Sequence, residues 1–298
     1  MEKIRYFDRY TKQYEEEQVM GEHFLKWIYG STLGKVALHT LIKRRVFSDI
    51  MGWWMNRAGS IKSIPPFIDQ YQIDMNESIK QVGDFTCFND FFARKLTPEA
   101  RPILGDEMTA VFPADARHMG WQDAALIENV FVKNQSFDLT ALLDSVELAQ
   151  KYAHGTLILS RLCPVDYHRF HFPVAGIPST TRRVSGSLAS VSPYCLRSKL
   201  AWLWTNKRTI TELKSEQWGD VLLIEVGATG VGAIHETYTP NKPVEKGAEK
   251  GYFTFGGSTV ITIFEPNKIQ LAPDLLANTA ECTELYAKQG DIMGILQK

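Results

Sequence analysis

Apolar and polar positions follow two different rhythms along the 298 residues. From His23 to Ile64, large apolar residues are mixed with basic ones and no proline intervenes. Phe24, Trp27, Leu33, Leu41, Phe47, Trp53 and Trp54 are among the apolar set, which predicts helix. Gly30, Gly34 and Gly52 divide the stretch, so two or three short helices are expected rather than one long one. Pro65-Pro66 is expected to close this segment, because proline lacks an amide donor and disfavours helix in the residue before it. A further helix is predicted from Phe67 to about Lys80 and a short one over Phe88 to Arg94, with Asn89 as its cap.

After Pro102 the texture changes. Gly155–Arg161, Gly186–Val191, Val221–Val226, Gly232–Thr239 and Tyr252–Phe264 are short, rich in β-branched or aromatic residues, and bounded by Gly, Pro or Asn. This pattern predicts strands and turns. Phe137 to Tyr152 is the one clear helical interruption, with Asp138 as its cap. The expected class is α+β: a helical N-terminal region, 1–100, on a mostly antiparallel β core, 101–298.

Charge sharpens the reading of the first part. Between His23 and Ile64, Lys26, Lys35, Lys43, Arg44, Arg45, Arg57 and Lys62 are opposed only by Asp49. A basic helix bearing Trp and Phe suits a membrane interface, and it equally suits a helix packed on a core with a solvated basic face. No apolar run approaches the roughly 18 residues of a spanning helix. The chain as a whole carries a net charge of -1, which gives no electrostatic case for nucleic acid. Four scattered cysteines without a CxxC pair fit free thiols in a reducing compartment rather than a zinc site.

Three patches contain polar groups that apolar packing does not require. The first is Phe112-Pro113-Ala114-Asp115, where an Asp beside proline is ordinarily a turn former. The second, Pro164 to Pro173, places His168 and His171 three apart among aromatics. Histidine exchanges protons near neutral pH, and no third ligand stands nearby to make the pair a metal site. The third is Phe255-Gly256-Gly257-Ser258-Thr259-Val260. Asp, His and Ser together suggest a serine hydrolase, but the Gly-x-Ser-x-Gly elbow is missing, with Val260 two residues after Ser258. Glycine on the acyl side of a serine instead lets the backbone strain so that the hydroxyl approaches the preceding carbonyl. That is a requirement for self-cleavage.

These residues resemble the phosphatidylserine decarboxylase family over nearly the whole chain. The resemblance is carried by Phe88-Asn89-Asp90-Phe91-Phe92-Ala93-Arg94-Lys95-Leu96, Pro113-Ala114-Asp115, and Asp166 through Pro173. Val226-Gly227-Ala228-Thr229, Lys246 to Gly251 and Phe255 to Val260 continue it in the same order. The Gly-Gly-Ser-Thr form is similar to the type II branch. Ala116 departs from the glycine common after the first-patch Asp, which leaves the carboxylate in place.

The resemblance implies self-cleavage between Gly257 and Ser258, with Asp115 orienting His171 and His171 taking the Ser258 proton. It implies a covalent pyruvoyl cofactor made from Ser258, a Schiff base with phosphatidylserine, and His168 as the acid that reprotonates the α-carbon. The implied partners are the lipid substrate, a membrane surface bound peripherally on the cytoplasmic side, and a heterodimer of the chain's own pieces, 1–257 and 258–298. A homodimer is a family-level expectation, and neither metal nor nucleic acid is expected. The alternatives are a pyruvoyl-dependent decarboxylase of a free amino acid, an uncleaved lipid-binding relative, and a serine hydrolase.

Overall fold

The computed structural model describes residues 4–17, 45–127, 137–189, 191, 195–196, 199–227, 233–256 and 258–297. Most of the basic N-terminal stretch, Gly257, and Ala228-Thr229 therefore lie outside the described residues.

Ten strands form the main sheet. Across it run Gln13–Glu16, Arg5–Asp8, Glu284–Ala287, Ala116–Trp121, Thr156–Leu162, Ser258–Phe264, Gly219–Gly227, Arg208–Ser215 and Ile177–Pro178, with Arg182–Val184 also pairing Arg208–Ser215. Every pairing is antiparallel except that of Arg5–Asp8 with Glu284–Ala287. Two three-stranded sheets accompany it: Ile234–Glu236, Glu249–Phe253 and Arg169–His171, and then Ile269–Leu271, Ile292–Leu296 and Thr109–Val111.

The central strands are apolar on both faces because both faces are covered. Alternation along a strand sends successive side chains to opposite sides. Leu222, Ile224 and Val226 accordingly join Ile261, Ile263, Leu157 and Leu159 in one core. Val221 and Leu223 join Phe264, Ile158 and Leu213 in the other. Burial of this kind stabilises by about 25 cal/mol per Å² of apolar surface, so the strand Ser258–Phe264, buried at every position, is a principal contributor.

A helical layer of short elements packs on the β core: Arg45–Met55, Ile64–Tyr71 and Phe88–Phe92. Its own core is aromatic, with Phe67, Phe85, Phe88, Phe91 and Phe92 around Ile64, and Phe255 of the β part enters it.

The structure corrects several expectations. Residues 5–16 form a β-hairpin on the sheet edge rather than helix, with Ile4, Tyr6 and Asp8 facing inward in strand alternation. Pro65 and Pro66 open the helix Ile64–Tyr71 instead of closing one, since proline costs nothing where the amide has no helical acceptor. That helix stops at Gln72 in a left-handed conformation, well short of Lys80. Cys87, not Asn89, precedes the helix Phe88–Phe92 at the cap position. Asp138 does cap, accepting from the Ala141 amide at 2.8 Å, but the helix divides into Leu139–Leu143 and Val146–Lys151. The long strand expected over Tyr252–Phe264 is broken into Glu249–Phe253 and Ser258–Phe264, and Phe255 and Gly256 lie in the break. No strand forms over Gly186–Val191 among its described residues.

Candidate active site

Ser258 is the first residue of its strand, paired with Leu162 on one side and Gly227 on the other. It is fully buried, and among the described residues its Oγ has no hydrogen-bond partner. A buried hydroxyl left unpaired costs about 1–3 kcal/mol, which folding tolerates most readily where chemistry uses the atom. Two residues earlier, Gly256 has φ of 139°, a conformation closed to side-chain-bearing residues.

Phe255 fixes the approach to this point. Its amide donates to Asn89 Oδ1 at 2.8 Å, and Asn89 Nδ2 donates to Asn56 Oδ1 at 3.0 Å. The Phe255 ring meets Phe88 and Phe92 edge-on, each with centroids 5.2 Å apart. The helical layer thus holds the Gly-Gly-Ser segment both by a buried amide hydrogen bond and by aromatic packing.

His168 lies just before the edge strand Arg169–His171, and its carbonyl accepts from the Phe253 amide at 2.9 Å. Its ring lies 3.9 Å, centroid to centroid, from that of Phe92. Nδ1 stands 2.9 Å from the Asp166 carbonyl, and a carbonyl only accepts, so Nδ1 carries the proton. In the neutral ring Nε2 is then bare, and this buried nitrogen has no partner. Burial pushes the His168 imidazole down to about 3, helped by the positive charges of Arg94 and Arg117 and opposed by the carbonyls of Asp166 and Gly256. The ring is therefore neutral at physiological pH.

His171 occupies a different surface. Its amide donates to the Pro113 carbonyl at 2.8 Å and its ring stacks on Tyr167 with centroids 5.8 Å apart. Nδ1 is buried without a partner, and burial pushes this imidazole down to about 4 against the charges of Glu249 and Asp115. His171 lines a cavity of about 270 Å³ with Leu96, Arg101, Tyr167 and Gln289.

Asp115 is held by groups that the sequence reading did not include. Arg101 Nε donates to it at 2.9 and 3.0 Å and Nη2 at 2.6 Å, and the Gln289 amide adds a bond of 2.9 Å. Among the described residues no hydrogen bond joins Asp115 to His171, whose link is the through-space charge of the carboxylate. The structure brings His168 toward Gly256, and places His171 with Tyr167 and Arg101 at the cavity, where Arg101 also holds Asp115. Arg101 had a signal in sequence only as one more basic residue near proline.

A buried charge network supports the floor of the site. Asp166 accepts from Arg117 and from the Cys163 amide, and burial raises its carboxyl to about 6 against the pull of Arg117. Arg161 reaches Glu284 at 2.8 Å and Glu17 at 3.1 Å. These residues come from four separate segments, which no local motif could announce.

The phosphatidylserine decarboxylase family model matches residues 88–283. The chain is 44% identical over 98% of its length to the phosphatidylserine decarboxylase proenzyme of Clostridium kluyveri, covering 99% of that protein. It is 43% identical over its full length to the proenzyme of that name from Chlamydia pneumoniae, covering 99% of it. The proenzyme of Desulfitobacterium hafniense is 41% identical over 99% of both chains. By the family match and by these full-length identities, this chain belongs to the phosphatidylserine decarboxylase family.

Proposed function

We propose that this chain is a proenzyme that cuts itself between Gly257 and Ser258 and then decarboxylates phosphatidylserine to phosphatidylethanolamine. The observation that carries the reading is the Ser258 hydroxyl: fully buried, without a partner, and two residues after a glycine at positive φ. In this reading His171, neutral and oriented through the Asp115 side of the site, accepts the Ser258 proton as the oxygen attacks the Gly257 carbonyl. The peptide bond becomes an ester. β-Elimination then leaves a carboxylate on Gly257 and dehydroalanine at 258, and hydrolysis of the latter releases ammonia and leaves a ketone.

The residues near position 258 fit a pyruvoyl group, since the Ser258 oxygen is buried with no partner among the described residues and His168, close to the Gly256 carbonyl, leaves its Nε2 free to meet it. Such a group supplies an electron sink for the pair left on the substrate α-carbon when carbon dioxide departs. His168, fixed by the Asp166 carbonyl and by Phe92, would take on its bare Nε2 the proton that the substrate ammonium sheds on binding and return it to that carbon.

A lipid substrate is reached from a bilayer surface. Ile50, Trp53 and Trp54 are more than half exposed or close to it on the helix Arg45–Met55, and Arg57 lies over the Trp53 ring at 3.6 Å. An exposed aromatic face with a basic companion supports peripheral contact with anionic lipid and favours phosphatidylserine over free serine. No helix among the described residues is long and apolar enough to cross a membrane.

Intact-mass spectrometry of the wild type and of Ser258→Ala tests the proposal. Two chains from the wild type, the smaller beginning at 258 and blocked by pyruvoyl, and one chain from the variant are expected. A single 298-residue chain from folded wild type would sink it. Assays of phosphatidylserine beside free serine and tryptophan then separate lipid from amino-acid substrates.

A further inference from the structure

Arg94 follows the helix Phe88–Phe92, the element that places Phe92 on His168 and Asn89 on Phe255. Only 8% of it is exposed, yet among the described residues its side chain makes no hydrogen bond and no ion pair, and Nε is fully enclosed without a partner. The Phe91 ring lies 5.1 Å from its guanidinium carbon. A buried guanidinium without an anion is costly, because desolvation is uncompensated, and burial accordingly holds Arg94 below its ordinary value.

The nearest carboxylates are already engaged. Asp115 and Glu77 both bond Arg101, and Lys288 stands 3.5 Å from Glu77. Arg94, Arg101 and Lys288 thus face two carboxylates, which leaves one positive charge in surplus beside the site. The charge of Arg94 acts on both His168 and Asp115, one residue of each half of the candidate active site. An enclosed, unpaired cation of this kind suits an anion brought by the substrate.

We propose that Arg94 receives the phosphodiester of the lipid headgroup and so sets the specificity of the site for a phosphorylated serine over free serine. The inference rests on the phosphatidylserine reading above. The phosphodiester is preferred to the departing carboxylate on chemical grounds. An arginine paired with the carboxylate would stabilise the ground state that decarboxylation must leave, whereas the phosphodiester does not react. Guanidinium presents donors in a fork that matches two phosphate oxygens.

The test compares wild type, Arg94→Lys and Arg94→Gln in decarboxylation of dihexanoyl phosphatidylserine and in its inhibition by dihexanoyl phosphatidylethanolamine. The inhibitor keeps the phosphodiester and the amine but has no carboxylate; ethanolamine, with the amine alone, is the control. Losing a charge-assisted hydrogen bond predicts that Arg94→Gln raises both KM and the lipid inhibition constant by about 10- to 100-fold. Arg94→Lys should raise them less, and ethanolamine should bind all three alike. Unchanged inhibition by the lipid in Arg94→Gln overturns the proposal, and a raised KM with unchanged inhibition assigns Arg94 to the carboxylate and overturns it too. If Arg94→Gln does not self-cleave, calorimetric binding of the same lipid to Ser258→Ala with and without Arg94→Gln decides: weaker binding supports the proposal and equal binding overturns it. Failure of the underlying reading is distinguishable, because wild type itself would then not decarboxylate the lipid.

Discussion

Asn89 Oδ1 accepts the backbone amide of Phe255 at 2.8 Å, joining the helical layer to the segment that precedes Ser258. The bond is buried at both ends, so it sets the position of a backbone that the proposed self-cleavage would have to bend. Removing the acceptor leaves an amide unsatisfied and frees that backbone. Asn89→Ala is expected to destabilise the chain by about 1–3 kcal/mol and to slow conversion of 1–298 into its two pieces. A time course of the two chains on a denaturing gel reads the second effect, and wild-type conversion would show that the bond has no part in processing.

Acid should weaken the fold through histidines buried in neutral form. Burial pushes His118 and His168 down to about 3 and His171 to about 4, against an ordinary value of 6.5. Because the folded values lie below the unfolded one, this stability is fully present above pH 6.5 and is lost as pH falls toward 4 and 3. Each proton taken up on unfolding contributes a slope of about 1.4 kcal/mol per pH unit. Urea midpoints of Ser258→Ala, which keeps the chain whole, should fall across this window, and His118→Gln should flatten the slope. A midpoint that stays level from pH 6.5 to 4 would count against neutral burial of these rings.

Trp53 and Trp54 expose about half their surface on one helix, beside Arg57. Trp53→Glu with Trp54→Glu should reduce cosedimentation with anionic liposomes severalfold while self-cleavage proceeds at the wild-type rate. Equal sedimentation would move the membrane contact elsewhere on the chain.

Lys250 and Glu225 form an ion pair of 2.8 Å with almost no exposure, and Thr209 adds a bond to the same carboxylate at 2.6 Å. Lys250→Met strands a buried carboxylate and should cost about 3–5 kcal/mol in the Ser258→Ala chain. Adding Glu225→Leu should recover much of that loss, because a well-packed apolar pair replaces the ionic one. Urea denaturation of the single and double variants checks both expectations, and no recovery in the double variant would mean that packing rather than charge was lost.

The strands Thr156–Leu162 and Ser258–Phe264 were legible because short runs rich in aliphatic and β-branched residues near turn residues have few other uses. The hairpin Arg5–Asp8 with Gln13–Glu16 was not, since four-residue edge strands rich in charge give alternation too little length to register. Pro65-Pro66 marks a boundary in either direction, and only packing of Ile64 and Phe67 decides that it is a beginning. Ser258, His168, His171 and Asp115 were recognisable as motif residues. The grip of Arg101 and Gln289 on Asp115 depends on contacts across up to 174 positions, which local pattern does not carry.

The place of Ser258–Phe264 in the main sheet bears on how the protein ages. That strand lies between Thr156–Leu162 and Gly219–Gly227, paired along its whole length on both edges. If the bond before it is cut as proposed, the hydrogen bonds that hold it can remain, but the covalent tether that guided it there is gone. Global unfolding would then release residues 258–298 into solution, and recovery would require two molecules to meet again at a rate set by their concentration. The finished protein would be a one-way product, whose lifetime is governed by how slowly the sheet opens rather than by how far equilibrium favours the folded state.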